Sequence, residues 1–167
     1  MSTSAVIGLG FGDEGKGVVT DFLCSRDPGS TQVVRFSGGH QCGHKVIKDD
    51  VEHVFASFGS GTLRGCPTFW SRHCTFDPVG FWKEYALLQE KGVVPRIHIH
   101  PECPVTTIYD VYANRHAVEV EHGTTGTGFF QTKKRHFQNG VKLDAADLIL
   151  GTDVETQLQS SSLNHQE

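Results

Sequence analysis

The chain has 167 residues, of which 37% are hydrophobic and 20% are charged, a composition typical of a globular domain with one hydrophobic core. Its formal net charge of −4 argues against a partner with a phosphate backbone or an anionic membrane surface. No apolar run approaches the roughly 20 residues of a membrane span, and the N-terminus lacks the basic-then-apolar pattern of a signal peptide. We therefore expect a cytoplasmic protein with neither a nucleic-acid nor a membrane partner.

The cysteine content supports the same compartment. The chain contains five cysteines, an odd number, and no C-x-x-C pair. Reduced thiols in a cytoplasmic protein account for this pattern better than a disulfide framework does.

The first elements along the chain predict an α/β fold. Residues 5–9 have the apolar pattern of a buried strand, residues 15–25 that of a helix, and residues 32–36 that of a second strand. This β-loop-α-β order favours a mostly parallel sheet with flanking helices, and it places a phosphate-binding loop after the first strand.

A second glycine-rich loop, residues 37–44, precedes a predicted strand at 44–48. The pair Asp49 and Asp50 predicts a turn, and residues 53–56 would return from it as another strand.

The clearest helix signal covers residues 78–91. Asp77 is a favourable N-cap, Pro78 occupies the first helical position, and Gly92 ends the helix. Alternation then predicts a strand at 96–100, and Pro104 is expected to begin a helix that ends near Val118.

A third glycine-rich loop, residues 122–128, leads into the basic stretch 133–135. Beyond Leu150 the chain becomes polar. We expect one nucleotide-binding domain over residues 1–150 and a disordered tail over 151–167.

The run from Gly10 to Gly17 carries the strongest chemical signal. Its glycines allow a tight turn that brings backbone N–H groups close to a ligand, and the following helix adds a partial positive charge, so phosphate is the expected ligand. Asp13 and Glu14 would repel phosphate unless a metal ion or a proton transfer separates them from it. The combination indicates phosphoryl chemistry on a nucleotide.

Two general motifs match this run incompletely. The spacing Gly10-x-x-x-x-Gly15-Lys16 fits a Walker A loop, but Gly17 stands where a Ser or Thr should bind Mg²⁺. The spacing Gly10-x-Gly12-x-x-Gly15 fits a dinucleotide fingerprint, yet the second strand ends without an acidic residue to hold a ribose.

Four segments in order resemble the adenylosuccinate synthetase family. They are the GDEGKG run at 12–17 followed by Asp21, the segment 34–44 ending in His44, the turn 58–61, and the GTTG run at 123–126. The resemblance covers residues 5–137, with GDEGKG and GTTG carrying most of it.

The resemblance implies a purine-nucleotide ligase that joins aspartate to IMP at the expense of GTP, through phosphorylation of the purine 6-oxygen. It implies that Asp13 is the general base, His44 the general acid, and Lys16 the group that offsets phosphate charge. Asp13 and the Gly43 carbonyl would bind Mg²⁺, and the enzyme would be a homodimer.

The resemblance also implies a set of substrate and nucleotide contacts. These are Gly12, Glu14, Gly15, Gly17, Gln41, Thr124, Thr125 and Arg135. Thr125 would hold the monophosphate of IMP. Arg135 is the nearest counterpart of an arginine that reaches the monophosphate in the neighbouring subunit.

The chain departs from the family pattern in places that leave alternatives open. Gln41 replaces an Asn, Thr127 replaces a basic residue, and family members are more than twice as long. A non-catalytic nucleotide-binding module or regulator is therefore the alternative to a ligase that needs its missing elements supplied, and the preferred triphosphate stays open. An NAD(P)-dependent oxidoreductase is the distant alternative.

Overall fold

A computed structural model describes residues 2–10, 12–116 and 125–148. Its central element is a three-stranded parallel sheet of β1 (Val33–Arg35), β4 (Thr68–Trp70) and β5 (Ile97–Ile99) in the order β1-β4-β5. In the register, Val34 lies opposite Phe69, and Phe69 lies opposite His98. The prediction of an α/β fold with a mostly parallel sheet is confirmed.

One face of this sheet is covered by the hydrophobic core. Arg35, Thr68 and Trp70 are buried, whereas Val34 on the opposite face is exposed, as the alternation of a strand requires. The core consists of the following residues: Val46, Phe55, Phe58, Trp70, Cys74, Phe76, Phe81, Leu88, Cys103, Val105 and Ala145.

A separate antiparallel hairpin joins β2 (His44–Lys48) to β3 (Val51–Phe55). Asp49 and Asp50 both have positive φ, 48° and 63°, which matches the twist that a two-residue hairpin turn needs. The predicted strand at 44–48 and the turn are confirmed, and His44 is thereby fixed as the first residue of β2.

The helix α2 (Pro78–Glu90) forms as predicted. The Asp77 carboxylate accepts hydrogen bonds from the N–H groups of Val79 and Gly80, and Gly92 follows the helix with a φ of 73°. The side chain at the N-terminus and the glycine at the C-terminus therefore set its length.

The helix α1 (Lys16–Ser25) also forms, but its buried side differs from the expected one. Its apolar Val18, Val19 and Phe22 are exposed, and its buried residues are Gly17, Asp21 and Cys24. Small residues face inward because the helix lies close to the segment 59–66. A Cβ at Gly61 would lie 2.5 Å from the Cys24 sulfur.

Two predicted elements are wrong. Residues 5–9 form no strand, because within the described residues no strand lies beside them to share hydrogen bonds; Ile7 and Leu9 are 66% and 92% exposed. The first glycine-rich loop therefore precedes the first strand of the sheet in this structure.

The second wrong element is the helix start at Pro104. Pro104 and Val105 are extended: the Pro104 carbonyl accepts from the Phe76 N–H at 2.8 Å, and Val105 donates to Leu143. The helix α3 (Ile108–His116) begins only after Thr107, and Val118 lies outside the described residues.

Four short elements complete the described chain. They are a 3₁₀ turn at Thr62–Arg64, α4 (Phe129–Lys133), the π-helical turn at Lys134–Gln138 that continues it, and a 3₁₀ turn at Ala145–Asp147. None of the helices described is both long and apolar enough to cross a bilayer. All five cysteines are free thiols. The predicted tail, 151–167, lies outside the described residues.

Candidate functional site

The first glycine-rich loop forms an anion-binding cradle. The N–H groups of Leu9 and Gly10 both donate to one oxygen of the Glu14 carboxylate, at 2.7 and 2.6 Å. Lys16 donates to the other carboxylate oxygen at 2.9 Å. Two amides and an ammonium group thus converge on one anionic group.

The anion in this cradle is the protein's own. The hydrogen bond from Lys16, with those from Gly10 and Leu9, holds the pKa of the Glu14 carboxyl below its usual range. We expected a ligand phosphate in this position, so a phosphate that uses the two amides must exchange with Glu14. The loop nevertheless has the donors and the charge that a phosphate requires.

The tip of the loop depends on left-handed backbone. Gly12, Asp13 and Gly15 have φ values of 111°, 52° and 72°. Glycine adopts this region freely, but Asp13 does so at a cost that short polar residues tolerate best. The result places Asp13 on the exposed outside of the turn, accessible to a ligand.

A close approach between Gly17 and His44 joins the first loop to the second. A Cβ at position 17 would lie 2.7 Å from the Cβ of His44, so only glycine allows this contact. His44 is half-buried, and burial, together with the positive charges of Arg35 and Lys16, lowers the pKa of its imidazole. The ring is therefore neutral near pH 7 and lies within the field of Lys16.

The second loop leaves one polar atom without a partner. The amide oxygen of Gln41 is buried and accepts no hydrogen bond from any described residue. Such an atom costs about 1–3 kcal/mol, which a ligand donor would offset. Gly43, by contrast, is an exposed residue.

His40 has a structural position in the same loop. Its Nδ1 lies 2.9 Å from the Ser57 hydroxyl, and its ring packs against Gly80 of α2, where a Cβ would come within 2.6 Å. It shapes the loop and leaves His44 as the histidine available to a ligand.

The third loop is attached to α3. Arg115 donates to the Gly126 carbonyl at 3.1 Å, and the Gly128 N–H donates to the Asn114 side chain at 3.1 Å. Thr125 is exposed, and Thr124 lies outside the described residues. These hydrogen bonds attach residues 126–128 to α3, whereas the close approach of Gly17 to His44 brings the first two loops together.

Arg135 is bound within the chain. Its guanidinium donates to the Asp110 carboxylate at 3.0 Å and to the carbonyls of Val105 and Val141 at 2.6 and 2.9 Å. Burial raises the pKa of Asp110, but the hydrogen bonds from Arg135 and Thr107 more than reverse this. A phosphate contact from Arg135 would require these bonds to be exchanged, and in the structure the residue braces α3 against the segment that follows it.

Sequence reasoning missed two buried charged residues near the loops. Arg35 stacks on the Trp70 ring, 4.6 Å from its centroid, and donates to the carbonyls of Gly39 and Ala56. The sequence signal for Arg35 was a single arginine inside the apolar strand 33–36. A charge buried there needs carbonyl and ring partners of this kind.

The second is Glu84 on α2. Its carboxylate accepts hydrogen bonds from the N–H groups of Ala56, Ser57 and Phe58, including one of 3.1 Å from Ala56. The sequence signal for Glu84 was its spacing. It lies three residues after Phe81 and four before Leu88, which places an acidic side chain on the buried side of the helix.

Asp13 and Gly43 fit a magnesium ion bound through a nucleotide. The described residues contain no cluster of three His, Cys, Asp or Glu that would form a metal cage. Mg²⁺ commonly takes only one or two protein oxygens and completes its shell with substrate phosphates and water. Asp13 and Gly43 are both exposed residues, and the carboxylate of one and the carbonyl of the other are oxygens of that kind.

The comparison with known proteins supports the family that the motifs of the glycine-rich loops indicate. The sequence model described as adenylosuccinate synthetase matches residues 5–167. The chain belongs to the adenylosuccinate synthetase family. The expectation from the sequence motifs is confirmed at this level, and the dinucleotide-fingerprint alternative loses its support because no strand precedes the first loop among the described residues.

Curated adenylosuccinate synthetases match over part of their length. The enzyme of Pseudomonas syringae pv. syringae is 35% identical over 130 residues, which cover 74% of this chain and 30% of that protein. The enzyme of Borrelia turicatae is 33% identical over 111 residues, 66% of this chain and 25% of the relative. The aligned part of the chain thus spans less than a third of the length of these relatives.

Solved structures of the family share the fold. The fully ligated adenylosuccinate synthetase of Plasmodium falciparum matches with a TM-score of 0.61 and 18% identity, over 92% of this chain and 37% of that one. A cyanophage S-2L succinoaminodeoxyadenylate synthetase, bound to dGMP and dATP as an energy donor, matches with a TM-score of 0.62 and 18% identity, over 82% and 39%.

Proposed function

We propose that this chain binds purine-nucleotide phosphates at its first two glycine-rich loops and supplies the N-terminal catalytic groups of a GTP-dependent carbon–nitrogen ligase. The reaction is the joining of aspartate to IMP through a 6-phosphoryl intermediate. The observation that carries the proposal is the convergence of the Leu9 and Gly10 amides and Lys16 on one anion, next to the contact of Gly17 with His44.

In the first step, Asp13 takes the proton from N1 of the purine, and the 6-oxygen attacks the γ-phosphorus of the triphosphate. The bond from that phosphorus to the leaving diphosphate oxygen breaks. His44 donates a hydrogen bond to the transferred phosphoryl group, and Lys16 offsets its charge. In the second step, the amine of aspartate attacks C6, and phosphate leaves.

Magnesium is the cofactor that suits this site. Asp13 and the Gly43 carbonyl would hold the ion. When bound, Mg²⁺ would neutralise negative charge on the nucleotide phosphates. Because these two oxygens alone make a weak site, we expect the ion to bind together with the nucleotide.

The remaining loop residues would position the substrates. We assign nucleotide or substrate contacts to Gly12, Gly15, Gly17, Gln41, Thr124 and Thr125, whereas Glu14 occupies the loop amides until a phosphate replaces it. The partnerless oxygen of Gln41 supports a donor on the purine as its ligand. A monophosphate contact from Thr125 requires the third loop to approach the first two when the substrate binds.

The proposed enzyme includes more of the family fold than these 167 residues supply. The chain spans about a third of its relatives, and its exposed surface includes the apolar Val18 and Phe22 of α1 and Val34 of the sheet. Parallel sheets are normally covered on both faces. We propose that the rest of the family fold covers this surface, within a cytoplasmic homodimer.

The experiment is a coupled assay of phosphate release that depends on aspartate. The chain is tested alone and mixed with the remaining part of a family member, with IMP and GTP and, because the cyanophage enzyme binds them, with dGMP and dATP. We expect turnover in the mixture and its loss with Asp13→Asn, while the matched exposed variant Asp27→Asn keeps it. Turnover that survives Asp13→Asn would remove Asp13 from the mechanism, and nucleotide binding without turnover in the mixture would favour the binding module.

A further inference from the structure

A cavity of about 390 Å³ lies at the carboxyl ends of two strands of the sheet, and none of its lining residues belongs to the three glycine-rich loops. Arg72 comes from the segment after β4, and Glu102 from the segment after β5. The opposite wall is formed by His136 of the π-helical turn and by Lys142 and Asp144. In open α/β sheets, ligands characteristically bind outside the carboxyl ends of the strands.

Two polar atoms of this wall are buried and unsatisfied. The Nδ1 of His136 lies 3.5 Å from an Oδ1 oxygen of Asp144, and neither atom has a hydrogen-bond partner in the described part of the chain. His136 is only 6% exposed. Buried polar atoms are nearly always satisfied in folded proteins, and leaving them so costs about 1–3 kcal/mol each. A donor from a ligand would satisfy both.

The two atoms do not form a stable ion pair with each other. Burial, the largest effect, lowers the pKa of the His136 imidazole, although the Asp144 carboxylate acts in the opposite direction. Near neutral pH the ring is therefore uncharged, and its Nδ1 is able to accept a hydrogen bond. A group with several N–H donors suits a neutral nitrogen and a carboxylate oxygen side by side.

The rim of the cavity supplies the opposite charge. The Arg72 guanidinium lies 3.4 Å from the Glu102 carboxylate, but both side chains are more than half exposed, at 57% and 66%. Exposed pairs of this kind contribute little, so Arg72 is free to turn toward a ligand. With Lys142, the lining carries two cations and two carboxylates, a balance that opposes a doubly charged phosphate and suits a molecule with one charge of each sign.

We propose that this cavity binds a small zwitterion of the α-amino-acid class, with its ammonium group donating to His136 and Asp144 and its carboxylate bound by Arg72 and Lys142. The exposed ring of Phe137, which also lines the cavity, would contact the ligand's side chain. The site is separate from the proposed nucleotide site and does not depend on it.

The test uses the whole chain and an NMR titration that follows the resonances of His136 and Phe137, so that no enzymatic activity is needed. The probes are L-alanine, propionate, which lacks the ammonium group, ethylamine, which lacks the carboxylate, and glycerol 3-phosphate, which carries a doubly charged phosphate. We expect saturable shifts with L-alanine and binding at least tenfold weaker with either analogue. Propionate or glycerol 3-phosphate binding as tightly as L-alanine would overturn the proposal, as would the absence of any saturable shift.

Two variants locate the ligand. Asp144→Asn keeps a residue that can cap the 3₁₀ turn at Ala145–Asp147, and Arg72→Gln changes an exposed side chain, so both should fold. Each should weaken L-alanine binding about tenfold, whereas the exposed control Arg26→Gln should not. Binding that is unchanged in both variants would place the ligand elsewhere and contradict the proposal.

Discussion

The Glu14 carboxylate accepts a hydrogen bond from the Gly10 N–H at 2.6 Å, within the same loop that is expected to bind phosphate. Lys16, the residue assigned to offset phosphate charge, is paired with that same carboxylate. The loop is therefore folded around an internal anion, and a nucleotide phosphate has to compete with it.

We expect the substitution Glu14→Gln to strengthen nucleotide binding at the loop. A neutral amide oxygen is a weaker acceptor than a carboxylate, because charge-assisted hydrogen bonds are roughly twice as strong as neutral ones, and the change frees Lys16. The affinity for GTP, measured by calorimetry, should rise about threefold to tenfold, an estimate from that ratio.

Glu52→Gln is the matched control, since Glu52 also pairs with an exposed lysine, Lys45, at 2.8 Å but lies on the hairpin. It should leave GTP affinity unchanged. Weaker binding in Glu14→Gln would mean that Glu14 maintains the shape of the loop and does not compete with phosphate.

The contact between Gly17 and His44 predicts a sharp difference between two glycines. Gly17→Ala should lower the free energy of unfolding by about 1–3 kcal/mol, the usual cost of overpacking, because its new Cβ would lie 2.7 Å from that of His44. Gly29→Ala should change it by less than about 0.5 kcal/mol, since nothing lies within 4 Å of the added atom. Urea denaturation measures both, and equal effects would show that helix α1 does not pack closely on β2.

The effect of the Lys16 charge on the pKa of His44 can be tested by titration. Because the positive charge of Lys16 contributes to the lowered pKa of His44, Lys16→Gln should raise that pKa toward the ordinary value of 6.5. The exposed Lys83→Gln on α2 should leave it unchanged. NMR titration of the imidazole measures the change in pKa. An unchanged His44 pKa in Lys16→Gln would show that the charge of Lys16 does not act on His44.

The buried carboxylate of Glu84 predicts a pH dependence of stability. Burial alone would raise its pKa, but hydrogen bonds from His53 and from the amides of residues 56–58 hold it below the usual 4.5. A lowered carboxyl pKa stabilises the folded state above about pH 4.5, and the contribution is lost as the pH falls through the folded-state pKa.

Glu84→Gln should therefore destabilise the protein by about 2–4 kcal/mol at pH 7, as expected when a buried charge interaction is broken, and should flatten the loss of stability in acid. Glu90→Gln, at the exposed end of the same helix, is the control. Urea denaturation at several pH values measures both effects. Similar behaviour of the two variants would show that Glu84 does not hold the segment 56–58.

Capping and turn preferences predicted the elements whose ends are marked by specific residues. The helix α2 has Asp77, Pro78 and Gly92 at its boundaries, and the hairpin has a turn of two aspartates, so both formed where the sequence indicated. Residues 5–9 have only an apolar pattern, whose meaning depends on a neighbouring strand that the described chain does not provide.

The sequence proposed residues for the candidate site but could not give their contacts. The motifs of the first two loops singled out Asp13, Lys16 and His44, yet they did not reveal that Glu14 occupies the amides, because the choice between an internal and an external anion depends on backbone direction. Arg135 is a second example. Its partner Asp110 lies 25 residues away in sequence, and only the fold brings them together.

The proposed function requires nucleotide phosphate to bind where the Leu9 and Gly10 amides converge. The most direct measurement is isothermal titration of the whole chain with IMP and with GTP, each with and without Mg²⁺. We predict saturable binding that Mg²⁺ strengthens for GTP and that the exchange Gly10→Val abolishes. Absence of heat for both nucleotides under both conditions would contradict the account.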